Sequence, residues 1–365
     1  MDNLLKLALP VMLHEEGEIQ AFLKAKERIE GLGEEHGVPI DVGAFLLYLP
    51  GCSRTPESFE AQVENQRKHK LPIRLVETGV QRENSLAYAE GDPRFDLEKS
   101  SDLEIVIDQA ARLRDLDPNP SERLVVSTQV GVYIVDIDEG DFSKPGFYSP
   151  KDFFENREFV FDNVKNRFAE LKDFAARKSI VFALENVLPA DVQDSNYWHV
   201  GDGSGSRNFE LHYAPFTGLN SVLAISQGNL VFDVAHLVAS IKLPNQFTSN
   251  GIYTGTLFDT MGVSSWGVYH NALGKLDDYL DRALAVHISQ VEGIGLRLPA
   301  GTDEARHWGG GGELPPLISV ETHRHILRNA QERGLPVALE PDYGFKPLNY
   351  KEADELLEPI LEGYL

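Results

Sequence analysis

The sequence contains a single cysteine, Cys52, among 365 residues. One thiol cannot form an intramolecular disulfide or a thiolate metal cluster, so we expect a reducing compartment, the cytoplasm. There is also no uninterrupted apolar run of about 18 residues, which a membrane-spanning helix needs. A cationic N-terminal region followed by a long apolar stretch, as in a secretory signal, is likewise absent from the sequence. We therefore expect a protein with no membrane partner.

Basic residues are scarce, with 34 Lys plus Arg against 57 Asp plus Glu and a formal net charge of −23. An excess of carboxylates repels phosphate backbones, and nucleic-acid binders usually carry a basic stripe. The strongest basic run is residues 67–70 (Arg-Lys-His-Lys), which is short and typical of a solvated helix end. We therefore expect no nucleic-acid partner. The composition, 42% hydrophobic and 25% charged, is that of a folded globular protein.

Short apolar runs rich in β-branched residues alternate with longer amphipathic segments along the chain. This alternation is typical of βα units around a parallel sheet. The runs at 181–184 and 230–232 are continuously apolar, as expected for strands that are covered on both faces. Strands are predicted at 5–13, 42–49, 73–78, 124–130, 180–187, 230–235, 285–289 and 336–340, and helices at 18–35, 56–68, 101–116, 151–178, 276–284 and 320–333.

Eight strands separated by helices favour a closed (β/α)8 TIM barrel over a doubly wound parallel sheet. No Gly-x-Gly-x-x-Gly motif follows the first predicted strand, so the main sign of a dinucleotide-binding fold is missing. Such a barrel needs about 250 residues, which leaves the rest for insertions. We predict a single α/β domain over 1–365, with long loops around 188–220, 241–274 and 293–316 on the C-terminal face, where these barrels build their active sites.

Each of the last four predicted strands ends in, or contains, a residue able to bind a divalent cation. The ends of neighbouring barrel strands meet at one rim, so residues about fifty positions apart can become adjacent. A charged group directly after buried apolar residues is costly unless it is paired, and a metal ion would pair all four. Three carboxylates and an imidazole suit Mn²⁺, Mg²⁺, Co²⁺ or Zn²⁺. The four candidate ligands are Glu185, Asp233, His287 and Glu340.

Further polar residues near these strand ends extend the candidate site. His236 follows Asp233 in the pattern Asp-x-x-His, from which it can face a metal or a bound substrate. His307 lies on the long loop after the seventh predicted strand and can close over the pocket. Glu77 and Gln129, at the ends of the third and fourth predicted strands, are candidates for the opposite wall of the barrel mouth.

These motifs resemble those of the xylose isomerase-like TIM-barrel superfamily, which includes sugar-phosphate isomerases and epimerases and the endonuclease IV-like barrels. The resemblance covers roughly residues 5–345, although its specific motifs lie in the second half. It implies that Glu185, Asp233, His287 and Glu340 match the four metal ligands of the ketose epimerases. It also implies that His236 matches the histidine that contacts substrate there.

The sequence departs from the superfamily pattern at two places. The epimerases usually carry a substrate-binding arginine six residues after the seventh-strand histidine, where this chain has Gly293. Either Arg297 or Arg306 replaces this arginine, or the substrate differs from that of the epimerases. We assign both arginines, with His307, to substrate binding. The three-zinc endonucleases have extra histidines on the third and fourth strands, and the predicted strands here have none. This difference and the negative charge make DNA repair a less favoured alternative.

The resemblance implies a metal-dependent isomerase or epimerase that acts on a sugar or other polyhydroxy-ketone through a metal-bound enediolate. Glu185 and Glu340 would then be the acid and base that move the proton. A related dehydratase or lyase would use the same residues. A metal-dependent hydrolase or multinuclear iron oxidase, with His307 and His14 as extra ligands, and a non-catalytic metabolite-binding barrel also remain open. Homo-oligomers are common among such barrels, and a homo-oligomer is a candidate state here.

Overall fold

The structure is a computed structural model. It describes residues 4–47, 56–78, 101–117, 123–128, 132–136, 150–186, 208–212, 219–235, 237, 276–289, 318–339 and 350–365.

Within these ranges, strands and helices alternate along most of the chain. The strands are β1 (Leu5–Val11), β2 (Ile40–Leu47), β3 (Ile73–Glu77), β4 (Leu124–Thr128), β5 (Val132–Asp136), β6 (Ile180–Glu185), β7 (Asn208–His212), β8 (Leu230–Asp233), β9 (Ala283–Ile288) and β10 (Pro336–Leu339). The helices are α1 (Glu16–Glu35), α2 (Pro56–His69), α3 (Ser101–Arg114), α4 (Pro150–Ala176), α5 (Leu219–Ser226), α6 (Leu276–Leu280), α7 (Val320–Arg333) and α8 (Lys351–Leu361).

Eight of the strands form a closed parallel barrel in the order β1-β10-β9-β8-β6-β4-β3-β2. The barrel closes where β1 pairs in parallel with both β2 and β10. The predicted (β/α)8 barrel is therefore confirmed. None of the described helices has the length and apolar character needed to cross a membrane.

The bounds of α7 show how local sequence sets a helix in this fold. The Ser319 side chain caps its first turn by accepting a hydrogen bond of 3.1 Å from the Thr322 main-chain N–H. The helix ends at Gly334, whose φ of +66° is the left-handed conformation that glycine adopts without strain. These bounds agree with the helix that the sequence predicts over 320–333, before the eighth barrel strand.

The prediction of a helix over 276–284 is wrong at its C-terminal end. The helix stops at Leu280, a turn follows in which the Asp281 N–H donates to the Asp277 carbonyl oxygen over 2.8 Å, and β9 begins at Ala283. The apolar residues that end the predicted helix belong to the strand instead. Five of the six residues of β9 are buried, as expected of a strand covered on both faces.

A second sheet, which the sequence analysis does not predict, consists of β5 and β7. The two strands pair antiparallel from Val132↔His212 to Asp136↔Asn208. β7 lies inside the 188–220 segment, for which the sequence predicts an irregular insertion. The 241–274 and 293–316 insertions lie outside the described residues, and the single domain over 1–365 stays a prediction.

The barrel interior is filled by an apolar layer to which every barrel strand contributes one residue. The small alanines on four strands leave space for the Phe45 ring of β2. The intervening residues face the surrounding helices, as where Phe182 packs on Phe168 with ring centroids 5.1 Å apart. The apolar layer consists of Ala8, Phe45, Leu75, Val125, Ala183, Val231, Ala285 and Ala338.

Candidate metal centre and active site

A polar layer lies above the apolar layer, toward the carboxyl ends of the strands. Side chains alternate across a strand, so a step of two residues keeps the side chain on the same face. Two residues beyond the apolar layer, five described strands carry a polar side chain that is at most 7% exposed. The polar layer consists of Glu77 on β3, Ser127 on β4, Glu185 on β6, Asp233 on β8 and His287 on β9.

Three members of the polar layer bring their side-chain donor atoms together. Glu77, Glu185 and His287 each offer one ligand atom, and these atoms lie within 4.8 Å of one another. His287 Nδ1 is 3.8 Å from Glu185 Oε1. The three residues come from alternate strands around the barrel, which is how side chains form layers inside such a barrel. We call them the carboxylate–histidine group.

The chemistry of the carboxylate–histidine group fits a divalent metal ion. Carboxylate oxygens and imidazole nitrogens bind zinc at about 2.0–2.2 Å, so two donors of one ion lie up to about 4.4 Å apart. The observed spacing is close to that span. Two carboxylates held together in the barrel interior repel each other, and a bound cation offsets that repulsion. The donor set is equally compatible with Mn²⁺, Mg²⁺, Co²⁺ and Zn²⁺.

Asp233, a predicted ligand, is fully buried on β8 and is the register partner of His287. It is not a member of the group of three, and its strand β8 lies between the strands that carry Glu185 and His287. Glu77 is a member of this group, whereas the sequence predicts it only as a candidate for the opposite wall of the barrel mouth. The signal is present in the sequence, since Glu77 ends a buried apolar strand just as Glu185 does.

Side-chain hydrogen bonds fix the ends of the strands that carry these residues. The Asn186 carboxamide donates to the Asp233 carbonyl oxygen and accepts from the Asp233 N–H, both over 2.8 Å. On the other side of the barrel mouth, Thr78 Oγ1 donates to Thr128 Oγ1 over 3.0 Å, and the Thr78 N–H donates to the Ser127 carbonyl oxygen over 3.1 Å. The strand ends are therefore tied to each other in pairs.

The end of β9 is held by a ring contact and a buried histidine. The Phe45 ring lies 5.3 Å from the His287 ring, centroid to centroid. His323 on α7 donates through Nε2 to the Ser289 carbonyl oxygen over 3.2 Å. Burial lowers the pKa of His323 to about 4, and the contact with Ser289 offsets only part of this shift. His323 is therefore neutral near pH 7 and anchors the strand that presents His287.

Comparisons with known proteins agree with this architecture. A solved structure of a proposed xylose isomerase from Rhodospirillum rubrum aligns over 98% of this chain and 99% of its own, with 15% identity and a TM-score of 0.51. The chain has the fold of the xylose isomerase-like TIM barrels. A xylose isomerase-like protein from Mycobacterium smegmatis in complex with magnesium covers 99% and 98% of the two chains at 13% identity and a TM-score of 0.45. An IolI protein with a bound zinc atom covers 99% of each chain at 15% identity and a TM-score of 0.46.

At these identities the structural similarity establishes the fold alone. The sequence matches no protein-family model and no curated protein. What this protein does therefore has to be argued from its own residues.

Several residues predicted for the site lie outside the described residues. The last described residue of β10 is Leu339, so the predicted ligand Glu340 lies just outside the described residues. His14 lies shortly after β1, where its Nε2 is 3.4 Å from Glu15 Oε1, and it is not part of the carboxylate–histidine group. The predicted residues outside the described ranges are His236, Arg297, Arg306, His307 and Glu340, together with Gln129.

Proposed function

We propose that this barrel is a metal-dependent isomerase or epimerase that acts on a sugar or another polyhydroxy-ketone. The observation that carries the proposal is the buried group of Glu77, Glu185 and His287 at the carboxyl end of the strands. That end is where (β/α)8 barrels bind their substrates. Buried carboxylates next to an imidazole provide both metal ligands and a proton acceptor within one pocket.

Glu77, Glu185 and His287 would hold the metal ion, with Asp233 and Glu340 as further ligands. A bound divalent ion supplies Lewis-acid stabilisation of the negative charge that develops on the substrate oxygens. Mn²⁺, Mg²⁺, Co²⁺ and Zn²⁺ are all chemically suited to this set of oxygen and nitrogen ligands.

In the proposed reaction Glu185 accepts the proton next to the substrate carbonyl, and Glu340 returns a proton to the other carbon or the other face. Glu185 is 1% exposed, so water competes little for this proton. We assign His236 to a substrate hydroxyl, as the resemblance implies. Arg297, Arg306 and His307 are our own assignments to further substrate contacts.

Hydrogen exchange at carbon tests the proposal across a panel of candidate substrates. The protein is incubated with Mn²⁺ and a series of ketoses and inositol-like ketones in deuterium oxide, and deuterium uptake at carbon is followed by mass spectrometry. We expect uptake into at least one compound by the unchanged protein and its loss in Glu185→Gln. Glu64→Gln, which changes an exposed glutamate on α2, should retain it. Equal uptake by both variants would contradict the role of Glu185.

The same experiment separates the alternative functions. A dehydratase would release a product lighter than the substrate by one water, since the enolate expels a hydroxyl instead of gaining a proton. A hydrolase or multinuclear iron oxidase would exchange no hydrogen at carbon, and separate elemental analysis would find two or three metal ions per chain. A non-catalytic barrel would bind a ligand with no exchange, and binding would persist in Glu185→Gln.

A further inference from the structure

A cavity of about 410 Å³ opens at the opposite end of the barrel, where the strands begin. Its lining includes Lys6 near the start of β1, Arg123 just before β4, and the first residues of β6 and β10. The apolar layer, in which every residue is at most 4% exposed, separates this cavity from the carboxylate–histidine group. The cavity is therefore a second pocket, distinct from the proposed active site.

Four positively charged side chains line this cavity, which we call the basic cavity. Lys6 and Arg74 come from barrel strands, Arg123 from the segment before β4, and Lys172 from α4. Among the described residues that line it, none is an aspartate or a glutamate. A local excess of positive charge of this size is unexpected in a chain whose net charge is −23.

Arg74 reaches the basic cavity because the sheet is irregular at this residue. The register between β2 and β3 passes from Ala44↔Ile73 to Phe45↔Leu75, so Arg74 is an extra residue in β3. Its side chain runs across Gly43, where an added Cβ would lie 2.5 Å from Arg74 Cγ. The bulge therefore turns a long cationic side chain inward where regular alternation would direct it outward.

The positive charges in the basic cavity act on one another. Burial lowers the pKa of Lys6, the charge of Arg74 lowers it further, and Asp41 offsets part of the effect. Asp41 is shared, since it forms an ion pair with Arg74 and lies 3.9 Å from Lys26 Nζ. An anion that entered the cavity would stabilise the charged forms of these side chains.

We propose that the basic cavity binds a phosphate group, either as inorganic phosphate or as a phosphate monoester. The two guanidinium groups and two ammonium groups match the donor types that proteins use for phosphate. The volume lies near the lower end of ligand pockets, about 300–1,000 Å³, which suits a small phosphorylated molecule. This proposal is independent of the proposed function, because it concerns other residues at the other end of the barrel.

Isothermal titration calorimetry of the full, metal-free chain with inorganic phosphate tests the proposal. In Arg123→Gln/Lys172→Gln we expect affinity for phosphate to fall about tenfold or more, since two charge-assisted hydrogen bonds are lost. Both changed side chains are partly or fully exposed, so the barrel core is untouched. The control is Lys165→Gln/Arg177→Gln, which removes two exposed charges in and just after α4 that do not line the cavity. Its affinity should stay within about twofold of the unchanged protein.

Glycerol phosphate, titrated in parallel, distinguishes the two sources of the phosphate group. Binding of either compound or of both supports the proposal if affinity is lost only in Arg123→Gln/Lys172→Gln. The compound that binds more tightly is then the preferred source of the phosphate group. Three results would overturn it. They are no binding of either compound to the unchanged protein, an equal loss in both double variants, and unchanged binding in Arg123→Gln/Lys172→Gln. The last would place phosphate elsewhere, for example at the carboxyl end of the barrel.

Discussion

Asn186 holds the main chain of Asp233 through two hydrogen bonds of 2.8 Å, one in each direction. Asn186 directly follows Glu185, so this carboxamide ties the end of β6 to the end of β8. It thereby sets the relative position of two residues of the polar layer. Both residues are buried, with Asn186 at 3% exposed and Asp233 at 0%.

Replacing Asn186 with alanine should destabilise the protein. Two buried main-chain groups of Asp233 lose their partner, and each such loss costs about 1–3 kcal/mol. We expect the free energy of unfolding to fall by about 2–4 kcal/mol in urea denaturation. Gln20→Ala is the control, because Gln20 makes one exposed hydrogen bond of 3.0 Å to Glu16. This change should lower the free energy of unfolding by only a few tenths of a kcal/mol. Equal effects of the two changes would contradict the role given to Asn186.

His323 should make the stability of the protein depend on pH in mildly acidic solution. Its pKa in the folded protein is about 4, below the ordinary value of 6.5, so the unfolded chain binds the proton more readily. The contribution of neutral His323 is fully present above pH 6.5 and is lost as the pH falls toward 4. The full loss is about 3 kcal/mol, of which about 2 kcal/mol should be gone at pH 5.

Urea denaturation at pH 7 and pH 5 measures this dependence. We expect His323→Gln to be less stable than the unchanged protein at pH 7. Between pH 7 and pH 5, however, its free energy of unfolding should fall by about 2 kcal/mol less than that of the unchanged protein. His325→Gln is the control on the same helix, since His325 is exposed and faces Asp277 over 2.5 Å. The same pH dependence in His323→Gln and in the unchanged protein would show that His323 does not carry it.

Two glycines of α1 should respond with opposite sign to the same substitution. At Gly31 an added Cβ meets nothing within 4 Å, so Gly31→Ala should stabilise the helix by about 0.5–1 kcal/mol. At Gly33 the Cβ would lie 2.6 Å from the Val38 carbonyl oxygen and 2.8 Å from the Ile40 side chain. We expect Gly33→Ala to destabilise the protein by about 1–3 kcal/mol, because α1 must move away from the start of β2.

Thermal or urea denaturation of the two single variants measures the difference. Each variant is the control for the other, because the helix, the residue type and the change in side chain are identical. The same sign of effect at both positions would contradict the close approach of α1 to β2 that the structure describes.

The barrel is predictable because its strands can be recognised from local sequence alone. Strands buried on both faces appear as continuous apolar runs, as in β6 and β8. Each such strand can therefore be identified without information from distant residues. β5 and β7 are not predicted because their pairing joins residues that are far apart in the sequence, from Val132↔His212 to Asp136↔Asn208. The helix predicted over 276–284 fails because a buried strand and a buried helix end have the same apolar composition.

The candidate site is predictable in part, for a related reason. Strand-end carboxylates and histidines are visible in the sequence, which identifies Glu185, Asp233 and His287. Which of them approach one another depends on the layering of alternate strands, and this brings Glu77 next to Glu185 and His287. The sequence shows the order of the strands along the chain. It does not show how deep each side chain lies in the barrel, and this depth decides which side chains approach one another.

Metal content shows directly whether Glu77, Glu185 and His287 form a metal centre. The protein is purified without added metal or an affinity tag, and the unchanged chain, Glu185→Gln and Glu64→Gln are compared by elemental analysis after soaking with Mn²⁺. We expect about one divalent ion per chain in the unchanged protein and in Glu64→Gln, and much less in Glu185→Gln, because the carboxylate–histidine group loses a charged ligand. No bound metal in any of the three, or an equal content in all three, would contradict the assignment of Glu77, Glu185 and His287 as a metal centre.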